Sequence, residues 1–562
     1  MSKRFSMIAA ISFALSLISI TQVSHAQNAD ISYFSNRTKS TTSPAQREEL
    51  RGVWITNVDS EVLNSKRKIA EMMDYLAEHN FNVIYPVVYN KGYTLYPSKV
   101  MEREFGVSVI PENQFAGVQD RDMLAEIIVE AHRVGIEVIP WFEFGFATSY
   151  NLGGGHILEA KPEWKALDQE GNLAKKNDFE WMNGFHPDVQ NFMIELVMEV
   201  VDNYDVDGIQ GDDRLPAMPS LAGYDDYTKG LYKKQFGVEP PSDVKDPQWV
   251  QFRADILSDF LERLHGQVKS RGKYLIVSSS PSYYDWSLFE YLQDSVTWTN
   301  RGIVDTSHPQ AYRYELDGYK KIVDDLVANQ FTPEQLHMLS PGILIRSGTY
   351  VSPLEYLKGA IEYNREKGVQ GEVLFFYQGL RGDEAKNLTD NGMSNYLKTG
   401  PYAEPASLPY RDGVNFRPGG VMTPAPPQQM GDHWTQNPKF PGIYRRPGGN
   451  AETLLYDVEV PVSATYDLYI GMLSGPDSTA NFVVKTGEDG KGGQNMLTFD
   501  QSERSNWGWM PIGQYKLKKG VNERFVRVEV TEMDPTKFTF TGPVMALINR
   551  KESPKTKWPV AE

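Results

Sequence analysis

Val206-Asp207-Gly208-Ile209-Gln210-Gly211-Asp212-Asp213 is the stretch on which the fold reading turns. In an extended strand successive side chains point to opposite faces, so Gly208, Gln210 and Asp212 share one face and Ile209 and Gly211 the other. With Ile209 packed outward against helices, Gln210 and Asp212 point inward. A polar residue and a carboxylate at the end of a buried parallel strand read as chemistry, because barrel enzymes gather their reacting groups at the strand C-termini. The competing reading has Asp212 capping the next loop or pairing with Arg214. Asp213 is expected to point sideways and support Asp212 or brace the loop.

Outward from that strand, short apolar runs alternate with amphipathic stretches. Strand-like segments fall at 51–57, 81–89, 135–143, 206–212, 273–279, 302–308, 336–345 and 371–377, and helical patterns at 66–79, 121–134, 188–203, 250–270, 317–329 and 353–366. Eight β/α units imply a parallel sheet, and they close most simply into a (β/α)₈ TIM barrel over residues 48–398. The alternative, a doubly wound open sheet, lacks the Gly-x-Gly-x-x-Gly turn after its first strand. Residues 399–429, rich in Pro and Gly, read as a linker. Residues 430–562 show alternating strand patterns between Gly-, Asn- and Asp-rich turns, as in a small β-sandwich used for binding or spacing.

The chain of 562 residues exceeds a single core, and its net charge of −16 leaves no footprint for nucleic acid. Lys3 and Arg4 precede an apolar run from Met7 to Ile20, and Ser24-His25-Ala26 has the small-x-small form of a cleavage site. Residues 1–26 are therefore expected to be a signal peptide, removed on export to the periplasm or outside the cell and leaving no membrane span, and 27–47 a polar disordered tail. With no cysteine, neither disulfides nor thiolate metal sites are available.

The second candidate acid lies on strand three. In Ile139-Pro140-Trp141-Phe142-Glu143 the alternation puts Trp141 and Glu143 on one face, and an acid flanked by aromatics loses solvation, which raises its pKa toward what a general acid needs. Asp212 as nucleophile or base and Glu143 as acid would make the pair that glycoside hydrolysis requires. Glu143 reads equally as a structural salt bridge or a ligand of a substrate hydroxyl, and Asp285 is a reserve acid. His308, Gln310 and Tyr312 share a face at the end of strand six, and with Gln210 they are candidate sugar contacts. Trp54, Tyr89, Trp141 and Trp286 are candidate stacking platforms, although ordinary core packing accounts for such aromatics as readily. Gly153-Gly154-Gly155-His156 lacks the Lys-Ser/Thr of a phosphate loop, no His-Glu-x-x-His is present, and Ser278-Ser279-Ser280 lacks a Gly-x-Ser-x-Gly elbow. No cofactor or metal is expected, and the expected partner is a polysaccharide.

Arg51-Gly52-Val53-Trp54, Gly92-Tyr93-Thr94-Leu95-Tyr96-Pro97-Ser98, Trp141-Phe142, Pro187-Asp188-Val189-Gln190 and Pro309-Gln310-Ala311-Tyr312 resemble the glycosyl hydrolase-like family 10 proteins. The most specific match is the family's Asp-Gly-x-x-x-Asp-Asp pattern, carried here by Asp207, Gly208, Asp212 and Asp213. The family includes exported bacterial enzymes acting on peptidoglycan glycan strands, so the resemblance implies a barrel glycosidase over residues 48–395. The chain departs from it at Arg214-Leu215-Pro216, where aromatic residues are common, and at Glu143, where many members carry Asn. The C-terminal stretch Trp507-Gly508-Trp509 through Lys519-Gly520 is similar to golvesin-type or carbohydrate-binding sandwiches. The expectation is an exported glycoside hydrolase acting on cell-wall peptidoglycan or an extracellular polysaccharide. Its alternatives are a non-catalytic glycan-binding surface protein and an adhesion module whose sandwich binds protein.

Overall fold

The computed structural model describes residues 47–381, 392–411, 416–423, 429–430, 435–436, 444–447, 452–473, 480–487, 492–500, 508–533 and 538–558. The expected signal peptide, the tail up to residue 46 and Trp507 lie outside the described residues. The chain divides into two units between Pro418 and Gly419.

The first unit is mixed α/β. Its eight parallel segments are β1 (Leu50–Ile55), β2 (Val83–Pro86), β3 (Glu137–Val138), β4 (Gly208–Gly211), β5 (Ile276–Ser279), β6 (Thr306–Ser307), β7 (Gly342–Leu344) and β8 (Gly371–Phe375). All residues of β1, β2, β4 and β5 are buried, as expected of parallel strands covered on both faces. β1 pairs with β2 and β8, β2 with β3, β4 with β5, β5 with β6, and β7 with β8. Between β3 and β4 the link is carried just past β3, where Gln210 N donates to Pro140 O (2.8 Å) and Phe142 N to Gln210 O (3.0 Å). Between β6 and β7, Ser340 N donates to Ser307 O (3.0 Å) and Gly342 N to Pro309 O (2.9 Å). Each segment thus has a parallel neighbour on both sides, and the pairings lead from β1 back to β1.

The helices between the strands start where capping chemistry places them. In α1 (Lys66–Glu78) the Ser65 side chain accepts from Lys68 N, and Ile69, Met72, Met73 and Leu76 form its buried stripe. In α2 (Met123–Arg133) the cap is Asp122, and in α3 (Pro187–Asn203) Pro187 opens the first turn. The 25-residue α4 (Pro247–Arg271) combines Pro247 with an Asp246 cap. The strands are shorter than the apolar runs that announced them. The first part of 336–345 belongs to a 3₁₀ turn, Pro333–Met338, closed by a capping box between Thr332 and Gln335.

The stretch read as a linker from residue 399 is partly fixed against the strand starts of this unit. The Tyr402 hydroxyl donates to Glu372 (2.5 Å), Arg411 binds Glu137 (2.8 and 2.7 Å), and Arg417 binds Asp207 (2.7 Å) and Asp205 (2.8 Å). Proline content hid this, because the anchoring is done by isolated side chains rather than by a periodic element.

The second unit is built of antiparallel strands: β9 (Glu452–Val460), β10 (Ala464–Leu473), β11 (Ala480–Thr486), β12 (Gly492–Asp500), β13 (Gly508–Leu517), β14 (Gly520–Met533) and β15 (Phe538–Ile548). One sheet runs Thr435–Gln436, Tyr444–Pro447, β15, β10, β13, and the other Gln429–Met430, β9, β14, β11, β12. Leu454, Tyr456, Val458 and Val460 alternate into a core shared with Tyr466, Leu468, Ile470 and Val544 of the opposite sheet. β12 and β13 were not anticipated, because glycine-rich sequence masks their alternation. Among the described residues no helix is long and apolar enough to cross a membrane.

Candidate active site

Asp212 immediately follows β4, and Leu215 N donates to its carbonyl (3.1 Å), so a turn begins where the strand ends. Two glycines make room for this turn. A Cβ on Gly145 would lie 2.1 Å from Arg214 O, and one on Gly211 would lie 2.1 Å from Leu215 O. The regular strand stops at Gly211, and the turn that follows carries Asp212 and Asp213. The Asp212 side chain is only 2% exposed, whereas Glu143 is 15% and Asp213 25% exposed, so the latter two are the acids that reach the surface.

Asp212 is held by donors from three strand ends. Trp141 Nε1 donates to its Oδ2 (2.9 Å), Gln310 Nε2 to its Oδ1 (2.8 Å), Arg214 Nη2 to Oδ2 (3.1 Å), and Asp213 N to Oδ1. The pairing with Arg214 is the competing sequence reading, now observed together with the inward orientation. Arg214 also contacts Asp213 through Nη1 (2.9 Å) and Glu143 Oε1 through Nη2 (3.6 Å), and its Nε donates to the Glu143 carbonyl (3.0 Å). Its guanidinium lies over the rings of Phe179 (4.7 Å) and Phe144 (5.4 Å). Asn90 Nδ2 donates to Glu143 Oε2.

Three carboxyl groups therefore surround one guanidinium. Burial, and after it the neighbouring Asp213, push the Asp212 carboxyl well above the ordinary carboxylate range; Arg214 opposes the shift, and a hydrogen bond with the Asp213 side chain adds to it. Burial also raises Glu143, against the pull of Arg214 and of the Asn90 bond. One positive charge cannot compensate three negative ones in so dry a place, which favours the protonated form of Asp212. The Oδ2 of Asp212 and the Oε1 of Glu143 meet at a single Arg214 nitrogen. The contacts of 3.1 and 3.6 Å keep these two oxygens inside the roughly 9.5 Å upper limit for glycosidase pairs.

Of the expected sugar contacts, four belong to the floor beneath this cluster. Trp54, Tyr89, Gln210 and His308 are wholly buried. Trp54 Nε1 donates to Gln210 Oε1 (2.7 Å), and Gln210 Nε2 to Ser278 Oγ (3.0 Å). His308 Nδ1 faces the Ser340 carbonyl (3.0 Å), which can only accept, so Nε2 is left to accept from the Tyr85 hydroxyl (2.9 Å). Burial lowers His308 to about 4, which keeps it neutral. The sequence reading gave Gln210 and His308 an inward strand face, but gave none of the four its depth. In this conformation they set the shape of the site without reaching a ligand. Trp141 and Gln310 touch Asp212 directly. Tyr312 is half-buried against Trp54 and Phe375, and its hydroxyl has no hydrogen-bond partner among the described residues. Trp286 is 39% exposed and stacks on Tyr283, centroids 5.9 Å apart and planes within 9°. Asp285 is exposed and forms no ion pair with the cluster.

Sequence reasoning missed Asn90, the charge-gathering role of Arg214, and the exposed aromatics Tyr150 and Tyr314. Asn90 directly follows the flagged Tyr89, and the exposed rings come from loops after strand ends, which is the one signal that could have found them. The glycine run has its own explanation. Gly153, Gly154 and Gly155 have φ of 67°, 100° and 62°, and the amides of Leu152, Gly153 and Gly154 donate to the Glu180 carboxylate (2.9, 3.0 and 3.1 Å). A nest of the kind that binds anions is filled here by the protein's own side chain.

Residues 49–347, more than half of the chain, match the family model described as Glycosyl hydrolase-like 10. The chain is 22% identical over 407 residues to "Glycosyl hydrolase YngK" of Bacillus subtilis (strain 168), covering 64% of this chain and 73% of that protein. It is 25% identical over 195 residues to "Glycosyl hydrolase DigH" of Escherichia coli (strain K12), covering 31% of this chain and 43% of that one. Among solved structures it is similar to the PgaB (BpsB) glycoside hydrolase domain from Bordetella bronchiseptica, with a TM-score of 0.46 and 14% identity over 61% of this chain and 98% of that one.

Proposed function

The chain belongs to the glycosyl hydrolase-like 10 family, and from that premise we propose that it is an exported glycoside hydrolase. On this reading it cleaves O-glycosidic bonds of cell-wall peptidoglycan or of an extracellular polysaccharide in the periplasm or outside the cell. The circle of parallel pairings is read as a (β/α)₈ barrel with its mouth at the strand C-termini, and the second unit as an accessory β-sandwich. The observation that carries the proposal is the grouping of Asp212, Asp213 and Glu143 around the single Arg214.

In the resting site Asp212 favours its protonated form, and its proton passes through the hydrogen bond to Asp213, the more exposed of the two, and on to the glycosidic oxygen as the bond to the anomeric carbon breaks. Glu143, on the other side of Arg214, activates a water or attacks the anomeric carbon itself. This reverses the division of labour read from sequence, because Asp212 is the more strongly raised of the two expected partners. Arg214 keeps the ionised members of the cluster charged, and Phe179 and Phe144 hold it in place. The exposed rings of Trp286, Tyr150 and Tyr314 are suited to stacking on the apolar faces of sugars.

The test is release of reducing ends from purified peptidoglycan glycan strands and a panel of polysaccharides. Glu143→Gln, Asp213→Asn and Asp212→Asn are each expected to lower turnover by roughly 10²–10⁴-fold; unchanged turnover in all three would reject the assignment. A second reading, a glycan-binding protein without turnover, is favoured by the four donors that saturate buried Asp212. Retention of glycan by the wild-type chain with no released ends at any pH would select it.

A further inference from the structure

Three consecutive residues after β6, Tyr312, Arg313 and Tyr314, begin two positions beyond Gln310, whose amide holds Asp212. Three residues of chain span at most roughly 10 Å, so the Arg313 backbone stands no farther than that from Gln310. The flanking rings turn elsewhere: Tyr312 packs on Trp54 and Phe375, and Tyr314 packs edge-on with Tyr350 after β7. Arg313 instead lays its guanidinium over the ring of Tyr283 in the loop after β5 (4.8 Å), and Tyr283 in turn stacks on Trp286.

This guanidinium is set apart by its lack of an acid. Its Nη1 donates to the Tyr312 carbonyl (2.7 Å), and no carboxylate among the described residues pairs with it, the exposed Asp285 and Glu315 nearby included. Acids are not scarce, since the chain has 73 of them against 57 lysines and arginines. Arg133, Arg214, Arg411 and Arg417 each bind at least one. A half-buried cation without a counter-ion has given up hydration, and the face of Tyr283 returns only part of that. A carboxylate would return the rest, because it takes two parallel N–H bonds from the guanidinium fork. The fork is open to it: Nε and Nη2 have no partner and are not shut off from solvent. Trp286, 39% exposed, offers an apolar surface one ring away.

We propose that Arg313, Tyr283 and Trp286 form a subsite for a carboxylate-bearing sugar unit, with the carboxylate on the Arg313 fork and the pyranose ring against Trp286. A uronic acid and the lactyl ether of a muramic acid are two sources of that one chemistry. The use of the subsite in substrate selection rests on the glycoside hydrolase reading, but binding itself does not.

The experiment is calorimetric titration of the full chain as Asp212→Asn, in which turnover is suppressed and the altered side chain is buried. Two acidic probes, tetragalacturonate and the disaccharide of N-acetylglucosamine and N-acetylmuramic acid, are each paired with a neutral one, methyl-esterified tetragalacturonate and chitobiose. At least one acidic probe should bind about tenfold or more tightly than its neutral counterpart, and the pair that shows this identifies the source. Arg313→Gln should abolish the preference and leave neutral binding unchanged. Arg313→Lys, which keeps the charge without the fork, should retain part of it, and Trp286→Ala should weaken acidic and neutral binding alike. Equal affinity within both pairs, or a preference that survives Arg313→Gln, overturns the subsite. The paired probes need no variant at position 313, so the comparison stands even where Arg313→Gln fails to fold. Reducing-end release by the wild type without any charge preference rejects the subsite alone, and a charge preference without release rejects hydrolysis alone.

Discussion

The two ends of β4 carry the same residue type in opposite electrostatic states. At its start, burial alone would raise Asp207, but Arg417 and His132 outweigh burial and hold the carboxyl well below the ordinary range. Val138 N also donates to it (2.8 Å). Just past its end, burial and Asp213 raise Asp212, and one arginine serves three acids. The strand starts are nearly balanced, with Arg411 and Arg417 brought in by the segment that crosses beneath the ring. The strand ends are left short of positive charge. Depth in the protein does not separate the two aspartates, since both are buried; the supply of counter-charge does.

This contrast can be broken from either side. The largest effect is expected at the mouth, where Asp212→Asn should cost roughly 10²–10⁴-fold in turnover and about 1–3 kcal/mol of stability, because its amide nitrogen cannot accept from two of the four buried donors. Reducing-end assays and urea denaturation on one preparation measure both. The mirror experiment is Arg417→Met, which leaves Asp207 buried with one partner fewer. Breaking a buried pair costs about 3–5 kcal/mol, so the urea midpoint should fall sharply while the folded fraction keeps its specific activity.

Glu372, at the start of β8, sharpens the comparison as the unbalanced acid of the lower face. Burial, and then Glu49, lift it to about 7, against its bonds from Tyr402 and Asn364. A carboxyl raised in the folded state binds a proton there that the unfolded chain has already released. Stability is therefore lost as pH climbs from the unfolded value near 4.5 through about 7. Glu372→Gln should remove that loss, stabilising the protein at pH 8 on the order of 1–3 kcal/mol and little at pH 4.5. Denaturation midpoints across pH would show it, and parallel curves for variant and wild type would refute it. The smallest effect concerns Arg214. Without its charge the acids bind their proton more tightly, so in Arg214→Gln the alkaline limb of the activity profile should move up by about one pH unit, on top of any drop in rate. A downward move would mean that Arg214 does not set the proton affinity of the cluster.

How much of this was legible in the sequence follows the same division. Alternation around Gly208, Gln210 and Asp212 located a strand and its inward face, and the segments spaced along the chain located its seven parallel companions. Periodicity cannot report depth, so Trp54, Tyr89, Gln210 and His308 were read as ligand contacts and are instead buried in the floor. Nor does periodicity extend past a strand end: the turn at Asp212–Leu215 brings Asp213 to the surface in place of its neighbour. The counter-ions were the least legible part. Arg411 and Arg417 reach acids more than 200 residues earlier, from a stretch whose prolines and glycines suggested only a tether.

The account depends on Asp212 holding its proton to higher pH than Asp207 does. Infrared difference spectra between wild type and Asp212→Asn, and between wild type and Asp207→Asn, read this directly in the carboxyl stretching region over a pH series. As pH rises, the band of a protonated carboxyl in the first difference should persist after the second shows only carboxylate bands. If the Asp212 signal turns to carboxylate at the same pH as the Asp207 signal or below it, the contrast between the two ends of β4 does not exist and the catalytic assignment falls with it.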